Sequence, residues 1–191
     1  MSLNPKRVLI LSGPSGVGKD TVLDRWMARN PRVERVIAVT TRQPREGEVD
    51  GESYHFVTQD EFDRAAENGQ FLEAKNVHGN WYATPMAGIE AILKCGGIAV
   101  LKIDVQGARE VLSRHPEIVT VFLMPPSMEE LERRIRGRQT DHDSSIVQRL
   151  QNATDEVAAS SFYMHRITND DVERVVDQLD ELIGEPVTGH N

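Results

Sequence analysis

Residues 8–29 read VLILSGPSGVGKDTVLDRWMAR, and this stretch decides the fold. Val8 to Leu11 form an apolar run of the kind expected for a strand buried on both faces. The run breaks at Ser12, and Gly13, Pro14, Ser15, Gly16, Val17, Gly18 and Lys19 follow. After them Val22, Leu23 and Trp26 recur at helical spacing. Strand, glycine loop, lysine and helix is the context that makes a G-x-x-x-x-G-K match a phosphate site. Glycines let backbone N–H groups turn inward, the helix start adds partial positive charge, and Lys19 can reach the outer phosphates.

The residue after the lysine is ordinarily Ser or Thr, whose hydroxyl binds Mg²⁺. Here it is Asp20, with Thr21 next. Asp20 is either a carboxylate ligand for Mg²⁺, direct or through water, or an acidic residue favouring a helix N-terminus.

Bulk composition narrows the function classes. A net charge of −8 argues against a general nucleic-acid or membrane-surface binder. No apolar run approaches membrane-spanning length, and no signal-peptide core opens the chain. Cys95 is the single cysteine, so no internal disulfide can form, and a cytoplasmic location is expected. The six histidines show no metal-ligand spacing.

Outward from the loop, the first helix is expected to stop near Asn30-Pro31, and Val33 to Val39 reads as a strand. A polar stretch dense in arginine and glycine runs from Thr40 to Tyr54, and Tyr54 to Val57 resumes as a strand. Asp60 to Asn68 is a short helix ended by Gly69. Residues 71–74 and 76–84 form an antiparallel pair turning near Gly79-Asn80. Helices are expected over 86–94, 108–113, 130–138, 146–159 and 172–183, and strands over 98–103, 119–124 and 166–168. Thr140 to Ser145 reads as a polar, mobile connection. Strands separated by helices imply a parallel sheet covered on both faces. The phosphate loop then sits at its carboxyl edge, where Asp104 reaches as an acidic partner for Mg²⁺.

Three further groups carry chemistry. Arg42 and Arg45 flank Pro44 in a loop too polar for a core. They are either guanidinium forks for a phosphate or carboxylate, or solvated partners of Glu46 and Glu48. Tyr54 and Tyr82 either give hydroxyls to the same anion or are strand aromatics; Glu73 is an exposed strand residue or an acceptor for an N–H-rich base edge. Together, beside a phosphate loop, they favour a second substrate's pocket. Arg133, Arg134, Arg136 and Arg138 crowd one helix, where like charges repel. They either pair with Glu129 and Glu132 on a solvated face or form a lid bringing positive charge to transferred phosphates, with Arg149 able to join.

With these pieces in order, the chain resembles the guanylate kinases from about Lys6 to Ile183. The resemblance is carried by GPSGVGK (13–19), TTRQPREGEVDGESYHFV (40–57), FLE (71–73), GNWYATP (79–85), KIDVQGA (102–108), PPS (125–127), RRIRGR (133–138) and ITNDD (167–171). The segment T-T-R-x-P-R-x-G-E-x-x-G-x-x-Y is highly specific. The resemblance implies ATP-dependent phosphorylation of GMP with Mg²⁺. It implies an α/β fold: a P-loop NTPase-type parallel sheet covered by helices on both faces, with a small β-rich acceptor-binding insertion and a helical lid. The expected division is a core of 4–37, 86–126 and 160–184, a GMP-binding insertion of 38–85, and a lid with its following helix over 127–159.

Carried over by position, Arg42, Arg45, Tyr54 and Tyr82 would hold the GMP phosphate. Glu73 and Thr84 would face the acceptor nucleotide, with Asp104 at the same site and as a metal ligand beside Asp20. Lys19, Arg134, Arg138 and Arg149 would hold the ATP phosphates and the transferred group, and Asn169 would lie near the adenine. The expected partners are ATP and GMP, with neither nucleic acid nor membrane, for a monomer or homodimer.

Four positions depart from the family's pattern. Ala38 stands where a serine touches the guanine carbonyl, Lys102 where an acid lies near the guanine amino group, and Ala83 where the Y-G-T/S turn has glycine. Asp20 is the fourth. A lost hydrogen bond in a buried site is worth about 1–3 kcal/mol, so acceptor specificity is open to change while the phosphate grip survives. A related ribose 1,5-bisphosphate phosphokinase and a non-catalytic guanylate-kinase-like binding module are the alternatives. The first generally lacks the arginine-proline-arginine segment, and the second usually has a degraded phosphate loop.

Overall fold

The computed structural model describes residues 4–77, 79–137 and 143–184. In chain order they form β1 (Val8–Ser12), α1 (Lys19–Arg29), β2 (Val33–Arg35), β3 (Val39–Thr40), β4 (His55–Phe56), α2 (Gln59–Glu67), β5 (Phe71–Val77) and β6 (Asn80–Pro85). Then come α3 (Met86–Lys94), β7 (Ile98–Leu101), α4 (Val105–Arg114), β8 (Val119–Met124), α5 (Met128–Arg136), α6 (Asp143–Ala159), β9 (His165–Thr168) and α7 (Val172–Leu182). No helix among the described residues is long and apolar enough to cross a membrane.

Among the described residues, five strands pair in parallel in the order β2-β7-β1-β8-β9. The apolar runs of β1 and β7, and of β8 from Val121 onward, are explained by helices on both faces. Leu9, Leu11, Val100 and Leu123 pack against Val22, Leu23 and Trp26 of α1 and Val175, Val176 and Leu179 of α7. Val8, Ile10, Ala99 and Phe122 pack against Ile89 of α3 and Ala108 and Val111 of α4. Buried Trp26 donates from its indole N–H to Asp180, at 2.7 Å, clipping α1 to α7.

A second sheet, β4-β3-β6-β5, falls within residues 39–85. β5 and β6 pair antiparallel, and Gly79 takes a φ of +84° at their turn. α2 begins with the capping box of Thr58 and Glu61.

Several sequence expectations need correction. Val33 to Val39 is not one strand: β2 pairs with β7 in the core sheet, whereas β3 pairs with β4 and β6 in the second. Residues 36–38 carry the chain between sheets, a change of partner that the spacing of Val33, Val36, Ile37 and Val39 does not reveal. The strand expected over 98–103 ends at Leu101. Ser12 reaches over to donate to the Ile103 carbonyl, at 2.7 Å, and Asp104 becomes the N-cap of α4, accepting from the Gly107 N–H at 2.7 Å. α4 therefore starts three residues before the expected Ala108. Arg138, expected to close the basic helix, lies outside the described residues, as do residues 140–142 of the polar connection expected over 140–145, whose residues 143–145 instead open α6. The helix expected from Ile146 already begins at Asp143.

Candidate active site

The phosphate loop is built as its glycines require. Gly13 and Gly18 have φ values of +151° and +99°. A Cβ on Gly13 would stand 2.7 Å from the Leu123 carbonyl oxygen, and one on Gly18 2.7 Å from Nδ2 of Asn169. No side chain caps the start of α1, so first-turn N–H groups remain for an anion. Lys19 folds back over the loop, donating to the carbonyls of Gly13 and, at 3.1 Å, Pro14.

Two distant elements grip the loop through one atom, the Val17 carbonyl. It accepts from buried Asn169 at 2.8 Å and from Nη1 of Arg134 at 3.3 Å. Leu131 and Ile135 of α5 pack beside Gly16, where a Cβ would meet Ile135 at 2.9 Å. A cavity of about 470 Å³ opens here, lined by Gly16, Gly18, Thr21, Arg133, Arg134, Gly137, Asn169, Asp170 and Val172. Arg149 lies half-buried on α6 and is not among those lining residues.

α5 tolerates its arginines through carboxylates one turn away. Arg133 and Arg134 both donate to Glu130, and Arg136 pairs with Glu132. Among the described residues the partner is Glu130 and not the expected Glu129. Hydrogen bonds from Arg133 and Arg134 pull the Glu130 carboxyl down to about 2.

A second cavity, of about 210 Å³, opens between the sheets. Ala38, Tyr54, Glu73, Lys75, Val77, Tyr82, Ala83, Lys102, Ile103 and Asp104 line it. Three of the four positions departing from the family pattern thus meet in one pocket. Glu73 is 6% exposed, and its Oε1 accepts from Thr84 at 2.6 Å. Burial pushes its carboxyl above the usual range. Beside the pocket, Arg42 donates from Nε to the Tyr82 hydroxyl at 3.1 Å and from Nη2 to Glu48 at 2.7 Å. Its guanidinium carbon lies 5.5 Å from the Tyr54 ring centre. Arg45 is exposed; its backbone N–H donates to Glu48 at 2.7 Å. Arg42 thus has the Glu48 pairing of the solvated reading together with the tyrosine contacts of the pocket reading.

Sequence reasoning missed Lys75, which donates to Gln106 at 2.8 Å and lies 3.5 Å from Asp104. Its position two residues beyond Glu73 on β5, hence on the same strand face, was an available signal. It also missed Glu156 on α6, whose carboxyl burial pushes up against the pull of Lys19.

Asp20 is paired with Lys102. Burial works to raise its pKa, but the Lys102 hydrogen bond and charge, with Lys19 and Arg35, hold it below the usual carboxylate range. Among the described residues no group of three or more His, Cys, Asp or Glu could hold a metal. What is available is oxygen chemistry in ones and twos, from Asp20, Asp104 and Thr21. That suits Mg²⁺ entering on nucleotide phosphates with one or two protein oxygens.

The guanylate kinase family model matches residues 5–186. A guanylate kinase of Trichormus variabilis is 40% identical over 174 residues, covering 91% of this chain and 87% of its own. One from Parasynechococcus marenigrum is 43% identical over 175 residues, covering 92% and 96%. The crystal structure of guanylate kinase from Anaplasma phagocytophilum superposes with a TM-score of 0.72 at 34% identity, covering 93% of this chain and 84% of that one. These matches disfavour both the ribose-bisphosphate kinase and the non-catalytic module. With its parallel sheet, phosphate loop and second pocket accounted for, the chain belongs to the guanylate kinase family.

Proposed function

We propose that this chain transfers the terminal phosphate of ATP to GMP, giving GDP and ADP with Mg²⁺. The observation that supports it most is the second pocket: a buried carboxylate, Glu73, in a cavity whose Tyr82 also holds the Arg42 guanidinium. Guanine presents adjacent N–H donors, which a carboxylate accepts, and a phosphate monoester suits an oriented guanidinium fork.

In this reading the first-turn N–H groups of α1 and Lys19 hold the donor phosphates. Lys19 exchanges the carbonyls of Gly13 and Pro14 for phosphate oxygens. Arg134, already at the Val17 carbonyl, spreads positive charge over the transferring group, with Arg149 and Arg138 as further candidates. Arg42, Arg45, Tyr54 and Tyr82 hold the acceptor phosphate in line with the donor. Asp104 would hold Mg²⁺, with Asp20, which stays paired with Lys102, reaching it only through water; the ion would supply positive charge to the donor phosphates. Closure of the 127–159 segment over the loop excludes water from the transfer. The same reading gives a cytoplasmic enzyme, monomer or homodimer.

A panel of GMP, dGMP, AMP, UMP and ribose 1,5-bisphosphate, each with ATP and Mg²⁺, tests it. GMP is expected to be the preferred acceptor; a preparation that binds ATP yet leaves GMP untouched overturns the reading.

A further inference from the structure

The side chain directly after a phosphate-loop lysine is ordinarily a hydroxyl beside the metal and the outer phosphates. Here it is a carboxylate in the first turn of α1. Standing alone, that charge would cancel Lys19 and repel a polyphosphate. It does not stand alone. Lys102, one residue past β7, donates to Oδ1 of Asp20 across a separation of 82 residues. Arg35, the last residue of β2, lies 3.8 Å from the same oxygen. The strand order β2-β7-β1 sets these carboxyl ends side by side. Both cations are the more enclosed partners: their side chains are 27% and 26% exposed, against 61% for Asp20. Two of the four departures from the family pattern are therefore a single contact.

We propose that Lys102, seconded by Arg35, is a positioning residue that neutralises the Asp20 carboxylate and turns it aside so that the phosphate loop can hold the ATP triphosphate. This rests on ATP being the donor, and goes beyond it by giving a residue of the acceptor pocket's wall a duty toward the donor. Lys102 lines that pocket, so a duty toward GMP is the competing outcome.

The test is ATP affinity by calorimetry without added metal, at low and high salt, together with the KM for GMP. Lys102→Ala is expected to weaken ATP binding about tenfold at low salt, as an uncompensated charge near the loop does at intermediate dielectric. The loss shrinks at high ionic strength. Lys102→Arg keeps near-normal affinity. Asp20→Asn combined with Lys102→Ala returns affinity to within about twofold of the parent, because removing both charges removes the coupling. A residue with only a structural duty gives no such rescue. Should Lys102→Ala not fold, Lys102→Met carries the same comparison.

Unchanged ATP affinity in Lys102→Ala overturns the proposal, and so does a double variant as weak as the single one. A change confined to the KM for GMP makes Lys102 an acceptor residue and overturns it equally. If the unmodified protein binds no ATP, the kinase reading itself fails. If it binds ATP and only the variants disagree, this inference alone fails.

Discussion

Glu48 holds Arg42 in place: Nη2 of the guanidinium lies 2.7 Å from Oε1 of a carboxylate six residues further along the same loop. Nε is taken by the Tyr82 hydroxyl at 3.1 Å and Nη1 by the Gln43 carbonyl at 2.8 Å. Three of the five guanidinium N–H donors are thus used in orienting the fork, and the rest are left for an anion. Arg42→Lys keeps the charge but loses the fork. It is expected to lower kcat/KM for GMP about a hundredfold while ATP affinity stays within about twofold, since an interaction to charge is worth roughly 1.5–3 kcal/mol. Glu48→Gln is expected to raise the KM for GMP with less effect on kcat. Steady-state kinetics with each substrate varied checks both; a loss in ATP affinity alone counts against the pocket.

Glu73 gives two pH dependences of opposite sign. Its folded-state pKa is raised by burial, so the folded chain holds this proton more tightly than the unfolded one. Its contribution to stability therefore falls as pH climbs from the ordinary carboxylate range through the raised value. Acceptor binding needs the ionised form and improves over the same window. Glu73→Gln should remove this part of the stability slope and lower kcat/KM for GMP roughly 10- to 100-fold. Melting curves and GMP kinetics across pH 4–8 (about the window of a raised carboxyl) would expose the error if both quantities moved together.

Lys19 donates to the loop carbonyls of Gly13 and Pro14, and Asn169 and Arg134 hold Val17 without it. Lys19→Ala is expected to lower kcat roughly a thousandfold, as loss of a donor to developing charge does. The fold should persist, with far-ultraviolet circular dichroism unchanged. Near-normal turnover rejects the phosphate-loop assignment.

Two glycines with positive φ separate backbone strain from steric conflict. Gly51 has a φ of +79° and nothing within 4 Å of an added Cβ; Gly13 has +151° and the Leu123 carbonyl at 2.7 Å. Gly51→Ala should cost about 1 kcal/mol, the left-handed penalty partly offset by a stiffer unfolded chain. Gly13→Ala should cost about 3 kcal/mol or more, because its obstacle is the backbone of β8. Urea unfolding of the two variants measures the difference; equal losses reject the steric account.

Much of this was legible from local pattern. Val8 to Leu11 is apolar throughout because both faces of β1 are covered, and the G-x-x-x-x-G-K spacing is itself the geometry of an anion nest. Gly79-Asn80 marked the β5–β6 turn and Ser127 the cap of α5. The run 33–39 misled because Val33 and Val39 are both strand residues, in different sheets. Periodicity reports that a residue is extended and half-covered, not which neighbour it hydrogen-bonds.

By itself the sequence determined the phosphate loop and the strand–helix alternation, because each depends on residues a few positions apart. Only the tertiary structure decided that Asp20 meets Lys102 and Arg35, and that Asn169 and Arg134 share the Val17 carbonyl. Those contacts follow from the order β2-β7-β1-β8-β9, which sets the ends of distant segments beside one another. Strand order is settled by burying both faces of the whole sheet at once, and no single stretch of the chain encodes it.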